Sequence, residues 1–340
     1  MATAADHAPD PNRKGPPAEP RPSSSVLLIS PQNQVLLLQR VIRDRDHFSG
    51  GHVFPGGNVA VNQDGSVPAP GQPGRHEDSN VYRLAACRET FEESGILLAR
   101  KKKGKGLLQL SETEREEARH KIHDHLWDFA HWVRRLGGVC DVDGLRPYTR
   151  WITPESVPRR FSTQMYVYML PLEESSLADQ GDYFIPRSDG GKEHNSASFK
   201  YAEEWTELAE SNKIILFPPQ FYLLSLLAPF IRKPKSKLST AELQKQRDQV
   251  VDFLENLPVG GDDRVPWATK VISPTTRKMS KDGRAILLLD TSGPELNNIP
   301  QGDASRFVLM SVAKGSTAKK VEIKSRRELP EYLAEQKGKL

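Results

Sequence analysis

Three glutamates in the stretch Arg88-Glu89-Thr90-Phe91-Glu92-Glu93-Ser94-Gly95-Ile96 have the types and spacing to do chemistry. On a helix, at about 100° per residue, Glu89, Glu92 and Glu93 project within one arc of roughly 100°. Like charges at i,i+3 and i,i+4 repel, and each such pair costs an isolated helix about 0.2–0.5 kcal/mol. Gly95 is a natural helix-stop residue, so Glu92 and Glu93 also fall in the last turn, where the macrodipole disfavours anions. Both penalties call for positive charge nearby. A hard divalent cation with oxygen ligands, Mg²⁺ or Mn²⁺, answers them, and Mg²⁺ binds through a few carboxylates plus substrate phosphates. Upstream, the glycines of Phe54-Pro55-Gly56-Gly57 let the backbone approach a phosphate or a metal, with a carbonyl available as a further ligand.

R-E-T-F-E-E-S-G-I resembles the core of the Nudix box, whose family pattern is G-x5-E-x7-R-E-U-x-E-E-x-G-U with U apolar. Gly57, Arg88, Glu89, Glu92, Glu93, Gly95 and Ile96 correspond, with Thr90 at a usually apolar position. The chain departs from the pattern twice. Arg88 follows Gly57 by 88 − 57 = 31 residues where the pattern allows 14, an insertion of 17, and the position eight before Arg88 is Asn80 rather than Glu. Glu77 and Asp78 are the nearest substitutes for that supporting carboxylate.

Two further stretches resemble the branch of that family that acts on coenzyme A. Leu36 to Gly57 resembles its coenzyme A signature, with Arg40 and Arg45 as the basic positions. Trp151-Ile-Thr-Pro154 with Pro158-Arg-Arg-Phe-Ser-Thr163 looks like the acyl-coenzyme A diphosphatase branch, with Ser162 in place of the usual Asp. The resemblance implies an α/β/α sandwich with a mixed sheet and hydrolysis of a diphosphate linked to another moiety. It implies Glu89, Glu92 and Glu93 as holders of Mg²⁺ or Mn²⁺, Gly57 as a carbonyl ligand, and Arg88 as the group that fixes the carboxylates, with Glu92 at i+4 a partner. Arg40, Arg45, Gly56, Arg159 and Arg160 become the substrate-binding set; the arginines either grip phosphates as forked donors or are simply solvated. Coenzyme A or an acyl-coenzyme A, cut to adenosine 3′,5′-bisphosphate and (acyl)phosphopantetheine, is the favoured substrate. NADH, ADP-ribose or a capped RNA end is the enzymatic alternative, and a weakly catalytic nucleotide- or partner-binding module the other.

The elements that must position these residues follow from patterning. A chain of 340 residues with 37% hydrophobic content can bury one sizeable core plus an extension. Residues 1–23, rich in Pro, Ala and charge, are predicted to be a disordered tail. Ser25–Ser30 and Val35–Arg40 are apolar runs that predict a hairpin of core strands. A surface loop is expected over 58–78, then the box helix capped by Ser79 or Asp78. Ser111-x-x-Glu114 is a capping box, and Ile122, Leu126, Phe129, Val133 and Leu136 follow at helical spacing, predicting one long helix within a helical insertion over 101–146. This helix either walls an acyl chain or packs wholly on the core. Its His120, His123, His125 and His131 lack a Glu-x-x-His set and are taken as solvated or packing residues. Gln164–Leu170 alternates as a strand, Ala202–Trp205 matches the end of another, and Glu203 or Glu204 supplies either a further ligand or base or only an exposed carboxylate. Helices are expected over 220–230 and about 240–257, and strands over 285–289 and 306–310. The hydrolase-like region thus runs over 24–232, with an α+β extension over 233–340 that either covers the substrate groove or completes the fold.

Composition narrows the partners. Net charge is 48 − 44 = +4, without the dense basic stripe and interleaved aromatics of a nucleic-acid binder. Cys87 and Cys140 are too few for a disulfide framework and fit a reducing compartment. Three prolines break the most apolar stretch, 214–231, so no membrane span is expected. Gly338-Lys339-Leu340 is one residue from a peroxisomal address, which makes the peroxisome the expected location and the cytoplasm the alternative.

Overall fold

The computed structural model describes residues 17–42, 50–103, 106–172, 186, 194–257, 265–312 and 319–333. Arg45, the terminal Gly-Lys-Leu and residues 1–16 of the expected tail lie outside that set. In chain order, the first strands are β1 (Arg21–Ile29), β2 (Val35–Arg40), β3 (Gly51–Val53) and β4 (Gly56–Asn58). Helices α1 (Val61–Asp64) and α2 (Asn80–Ser94) follow, then β5 (Ala99–Lys101), α3 (Glu112–His123), α4 (Phe129–Arg135) and β6 (Gly138–Cys140). Next come β7 (Arg146–Ile152), β8 (Phe161–Met169), β9 (His194–Lys200), α5 (Ala202–Glu210), β10 (Ile215–Leu216), α6 (Pro218–Leu227) and α7 (Thr240–Glu255). The chain closes with β11 (Val271–Ile272), β12 (Thr275–Met279), β13 (Ala285–Leu289), β14 (Asp303–Val312), β15 (Lys319–Ser325) and α8 (Leu329–Tyr332).

β1 is the centre of a mixed nine-stranded sheet in the order β10-β3-β2-β1-β8-β7-β11. It runs parallel to β8 from Arg21↔Phe161 to Ile29↔Met169. Its other edge is shared, with β2 pairing at Ile29 and β4 at Ser23–Ser25. A strand buried on both faces reads as a continuous apolar run, as Val26 to Ile29 does. The pleat sends Leu27 and Ile29 into a cluster with Trp205, Tyr222 and Leu223, while Val26 and Leu28 meet Tyr82, Cys87 and Phe91 of α2. The architecture is therefore the expected α/β/α sandwich, with α2 on one face and α5, α6 and α7 on the other. β1 starts at Arg21, inside the expected tail, because Arg21–Ser23 have Phe161–Thr163 to pair with.

Other expectations need correction. The long inserted helix is two, α3 and α4, broken where His125 takes a left-handed φ of 55°. Ser111 does form the capping box, Ile122, Phe129 and Val133 are buried, but Leu126 at the break is 64% exposed. Ala202–Trp205 is the first turn of α5 rather than a strand end. There Glu204 caps the backbone N–H of Tyr201 and pairs with Lys233 Nζ at 2.7 Å, and Glu203 accepts from the Lys233 N–H.

The C-terminal third completes the fold. β11 extends the main sheet alongside β7, and β12 to β15 form a second antiparallel sheet whose Leu287, Leu289, Val308 and Val321 join the cluster around Leu27. Arg247 of α7, buried, donates to Asn33 Oδ1, Leu170 O and Ser30 O at 2.7–2.8 Å, tying the extension to the β1–β2 turn.

Candidate active site

The Phe54–Gly57 turn is fixed on β1 by two hydrogen bonds and a ladder pairing. Val26 N–H and Ser25 Oγ both donate to Pro55 O, and Ser24 stands opposite Gly57 in the β1–β4 ladder. Gly56 is required for close approach to the β1 backbone, and Gly57 leaves room for the Glu89 carboxylate. A Cβ on Gly56 would lie 2.3 Å from Ser24 O, and one on Gly57 would lie 2.5–2.6 Å from the carboxylate of Glu89. Across the turn, α2 ends as expected at Gly95 in the left-handed conformation, its N–H donating to Phe91 O at 2.8 Å. Ser79 is the N-cap, without a side-chain capping bond.

A cavity of about 710 Å³ opens between these parts. Gly56, Gly57, Arg88, Glu89, Glu92 and Glu93 line its floor, and Trp151, Phe161, Met165 and Phe217 form an apolar wall. Arg40 and Arg159 also line it, so three of the four expected substrate-side residues that the structure describes, all but Arg160, share one cavity with all of the expected carboxylate-side residues. Arg160 is buried elsewhere, ion-paired to Glu295 and donating to Thr153 O and Ala18 O, and does not reach the cavity. Buried as it is, its guanidinium is matched by the Glu295 carboxylate and two carbonyls and is not free to meet a substrate. Glu203 and Glu204 also stand apart, committed to Lys233.

Arg88 organises the floor. It is 3% exposed, and its Nη1 donates to Glu89 Oε1 at 2.8 Å and to Glu92 Oε1 at 3.0 Å. Its Nε and Nη2 form a fork with Asp64, at 2.9 and 2.7 Å, and Nη2 also reaches Asn58 O. Asp64 is the supporting carboxylate, in place of Asn80, Glu77 or Asp78; Asp78 is instead engaged with Arg83 and Tyr166. One of the 17 inserted residues therefore falls between Gly57 and Asp64, and the other 16 between Asp64 and Arg88, since 88 − 64 = 24 where the pattern allows 8. Counting forward from Gly57 reaches Gln63 and then Asp64, whereas counting back from Arg88 crosses the insertion and lands on Asn80. The 58–78 segment is correspondingly more than a surface loop, since Gln63, Asp64, Arg75 and His76 are buried.

Glu93 Oε2 accepts from Gly56 N–H at 2.7 Å, and its Oε1 lies 3.7 Å from Nε2 of the buried His194. Burial raises the Glu89 carboxyl above the ordinary range; Arg88 opposes that rise, and Glu92 and Asp64 add to it. The Arg88 guanidinium is held more basic than usual by Glu89, Asp64 and Glu92, against the opposing effect of its burial.

Sequence reasoning also missed the polar face of α3. Glu116, Arg119, His120 and His123 recur at i, i+3, i+4 and i+7 and line the cavity together with His125. That spacing was the available signal. His123 Nδ1 is 3.4 Å from Glu92 Oε2. Gln63 fixes the α3–α4 break, donating to Trp127 O and accepting from Phe129 N–H.

Among the described residues, no three His, Cys, Asp or Glu side chains stand close enough together to hold an ion as they are. Arg88 bridges two of the three glutamates, and the Gly56 N–H holds the third. The donor set nonetheless has the chemistry for a hard cation. Glu89, Glu92 and Glu93 line one cavity, and Gly57 stands beside the Glu89 carboxylate with no side chain in the way.

A family model described as the NUDT19 Nudix domain matches residues 74–227, which include the whole of α2 and the β7–β8 pair. Residues 74–227 thus carry a Nudix hydrolase domain of the NUDT19 branch. Acyl-coenzyme A diphosphatase NUDT19 of Gallus gallus is 30% identical over 167 residues, 44% of this chain and 41% of that protein. The Xenopus laevis protein of the same name is 29% identical over 160 residues, 44% and 39% of the two chains. The putative nudix hydrolase 7 of Caenorhabditis elegans is 26% identical over 209 residues, 61% and 59%. The chain spans about two fifths of the length of the two NUDT19 relatives. Among solved structures, a NUDIX hydrolase from Alicyclobacillus acidocaldarius is 21% identical with a TM-score of 0.47, covering 61% of this chain and 90% of that one. In this Nudix box, Asp64 does the supporting work of the missing glutamate, from the far side of the insertion.

Proposed function

We propose that the protein hydrolyses a diphosphate linkage with the help of Mg²⁺ or Mn²⁺, and that its substrate is coenzyme A or an acyl-coenzyme A. The observation that carries the reading is the convergence of Glu89, Glu92 and Glu93 with Gly56 and Gly57 on the floor of one cavity whose opposite wall is aromatic and apolar. Glu89, Glu92 and Glu93, with the Gly57 carbonyl, would hold the ion. A bound divalent cation supplies neutralisation of diphosphate charge and a lowered pKa for water. The chain itself contributes position. Arg88, gripped by Asp64, orients Glu89 and Glu92, and Gly56 N–H orients Glu93. Arg40 and Arg159, which line the same cavity, would meet phosphate oxygens. Trp151, Phe161 and Phe217 give a planar or aliphatic moiety an apolar surface that keeps water away.

The substrate preference is supported by the Trp151–Thr163 pattern and by the names of the NUDT19 relatives. The test is a panel of coenzyme A, acyl-coenzyme A, NADH and ADP-ribose incubated with Mg²⁺ or Mn²⁺, followed by product identification. Adenosine 3′,5′-bisphosphate from the coenzymes, lost in Glu92→Gln, is the expected result. Faster hydrolysis of NADH or ADP-ribose would replace the substrate assignment, and no hydrolysis of any of them would refute the activity.

A further inference from the structure

We propose that the inserted helix α3 is a positioning arm of the ion cradle, with Arg119 and His123 holding Glu92 and Glu93 in place for a divalent cation. This rests on the reading of those glutamates as ion holders given above. The last carbonyls of a helix have no intrahelical donor, and a buried end must find partners elsewhere. At the end of α2 the partner is Arg119, 4% exposed, which donates from Nε and Nη2 to Glu92 O at 3.0 and 2.9 Å and from Nη2 to Glu93 O at 3.1 Å. These carbonyls belong to the two residues whose carboxylates line the cavity. The positive charge that the negative pole of α2 demands is thus supplied on its backbone side by α3, leaving the side chains to face the cavity.

The Glu92 side chain is approached as well. Arg88 donates to Oε1 at 3.0 Å, and His123 Nδ1 stands 3.4 Å from Oε2 on the other side. A carboxylate oxygen keeps a lone pair free after accepting one hydrogen bond, so this arrangement leaves room for a ligand bond. The arm is anchored independently of these contacts. Ala118 and Ile122 sit in the same cluster as Phe91, and the Arg115 side chain lies against Gly95, with its Cδ 3.1 Å from where a Cβ would stand.

The test is a Mn²⁺ titration of the full chain, reading free Mn²⁺ by its electron paramagnetic resonance signal, with a thermal melt for each variant. Groups that orient metal-ligating residues typically change metal affinity about 10- to 100-fold when removed. Arg119→Met is expected to weaken Mn²⁺ binding by about ten-fold or more, and Arg119→Lys, which keeps charge but loses the fork, by less. His123→Ala, at an exposed position, should weaken it about three-fold, below that range because the contact is part-solvated. Ile122→Ala loosens the packing of α3 without touching either glutamate and should lower the melting temperature while leaving Mn²⁺ affinity unchanged. If Arg119→Met does not fold, His123→Ala against Ile122→Ala decides. Wild-type affinity in Arg119→Met and His123→Ala, or an equal loss in Ile122→Ala, overturns the arm alone. A wild-type chain that binds no Mn²⁺ refutes the cradle and the arm together.

Discussion

Asp64→Asn is the sharpest perturbation of the site that spares all three box glutamates. Asp64 is 1% exposed on its side chain and accepts three bonds, two from the Arg88 fork at 2.9 and 2.7 Å and one from Ala60 N–H at 2.8 Å. An asparagine keeps one acceptor but turns an N–H₂ donor toward the guanidinium, so one arm of the fork is lost and donors face each other. Breaking a buried ion pair by removing one partner costs about 3–5 kcal/mol. Here Glu89 and Glu92 still compensate Arg88, which trims the expected loss to about 2–4 kcal/mol. Glu77 is exposed, so Glu77→Gln should stay within about 0.5 kcal/mol of wild type. Asp64→Asn should also need more Mn²⁺ for half-maximal activity, because an Arg88 freed from Asp64 competes with the ion for Glu89 and Glu92. Urea unfolding and a Mn²⁺ activation curve measure the two effects. A change below about 0.5 kcal/mol with an unaltered Mn²⁺ requirement would refute Asp64 as the organiser of Arg88.

Three further outcomes follow from buried polar groups. Ser162→Asp should stabilise the fold by about 1–2 kcal/mol, since the wholly buried Arg150 is already desolvated and is met by neutral groups, Ser162 Oγ at 3.1 Å and the Tyr82 ring, where the related branch usually carries an acid; a lower urea midpoint would count against it. His52 and His76 are held neutral, each lowered to about 4, first by burial and then by Lys200 for His52 and Arg150 for His76. The unfolded chain protonates them near pH 6.5, so their contribution is complete above that pH and is lost as pH falls toward 4. For His52 this amounts to about 3 kcal/mol, and His52→Gln should flatten the fall in melting temperature across that window; an unchanged slope would contradict it. Arg247→Met should cost about 2–3 kcal/mol, by taking the Arg247 donors from Leu170 O and Asn33 Oδ1 while Ser30 O keeps only the Asn33 N–H, and should loosen the β1–β2 turn in hydrogen exchange; normal protection there would argue that α7 is not the tie.

Much of this protein was legible along the chain because its determinants are local. Val26 to Ile29 announces a strand covered on both faces, Ser111 and Glu114 announce a helix start, and Gly95 announces a helix stop. Helical period alone puts Glu89, Glu92 and Glu93 on one side. What spacing cannot tell is which distant groups neutralise a buried charge, because that depends on which segments the sheet brings alongside. Arg160 matched a substrate-binding pattern, yet it lies beside Glu295, 135 positions away. Asp64 was hidden by an insertion that disrupts counting but not geometry, since both ends of that insertion return to Arg88. Likewise the negative pole of α2 required a cation on any reading, but only packing showed that Arg119 meets the backbone and leaves the carboxylates to the cavity. Local periodicity decided the elements and the acidic face; long-range charge pairing, settled only when the sheet and the insertions closed around α2, decided the site.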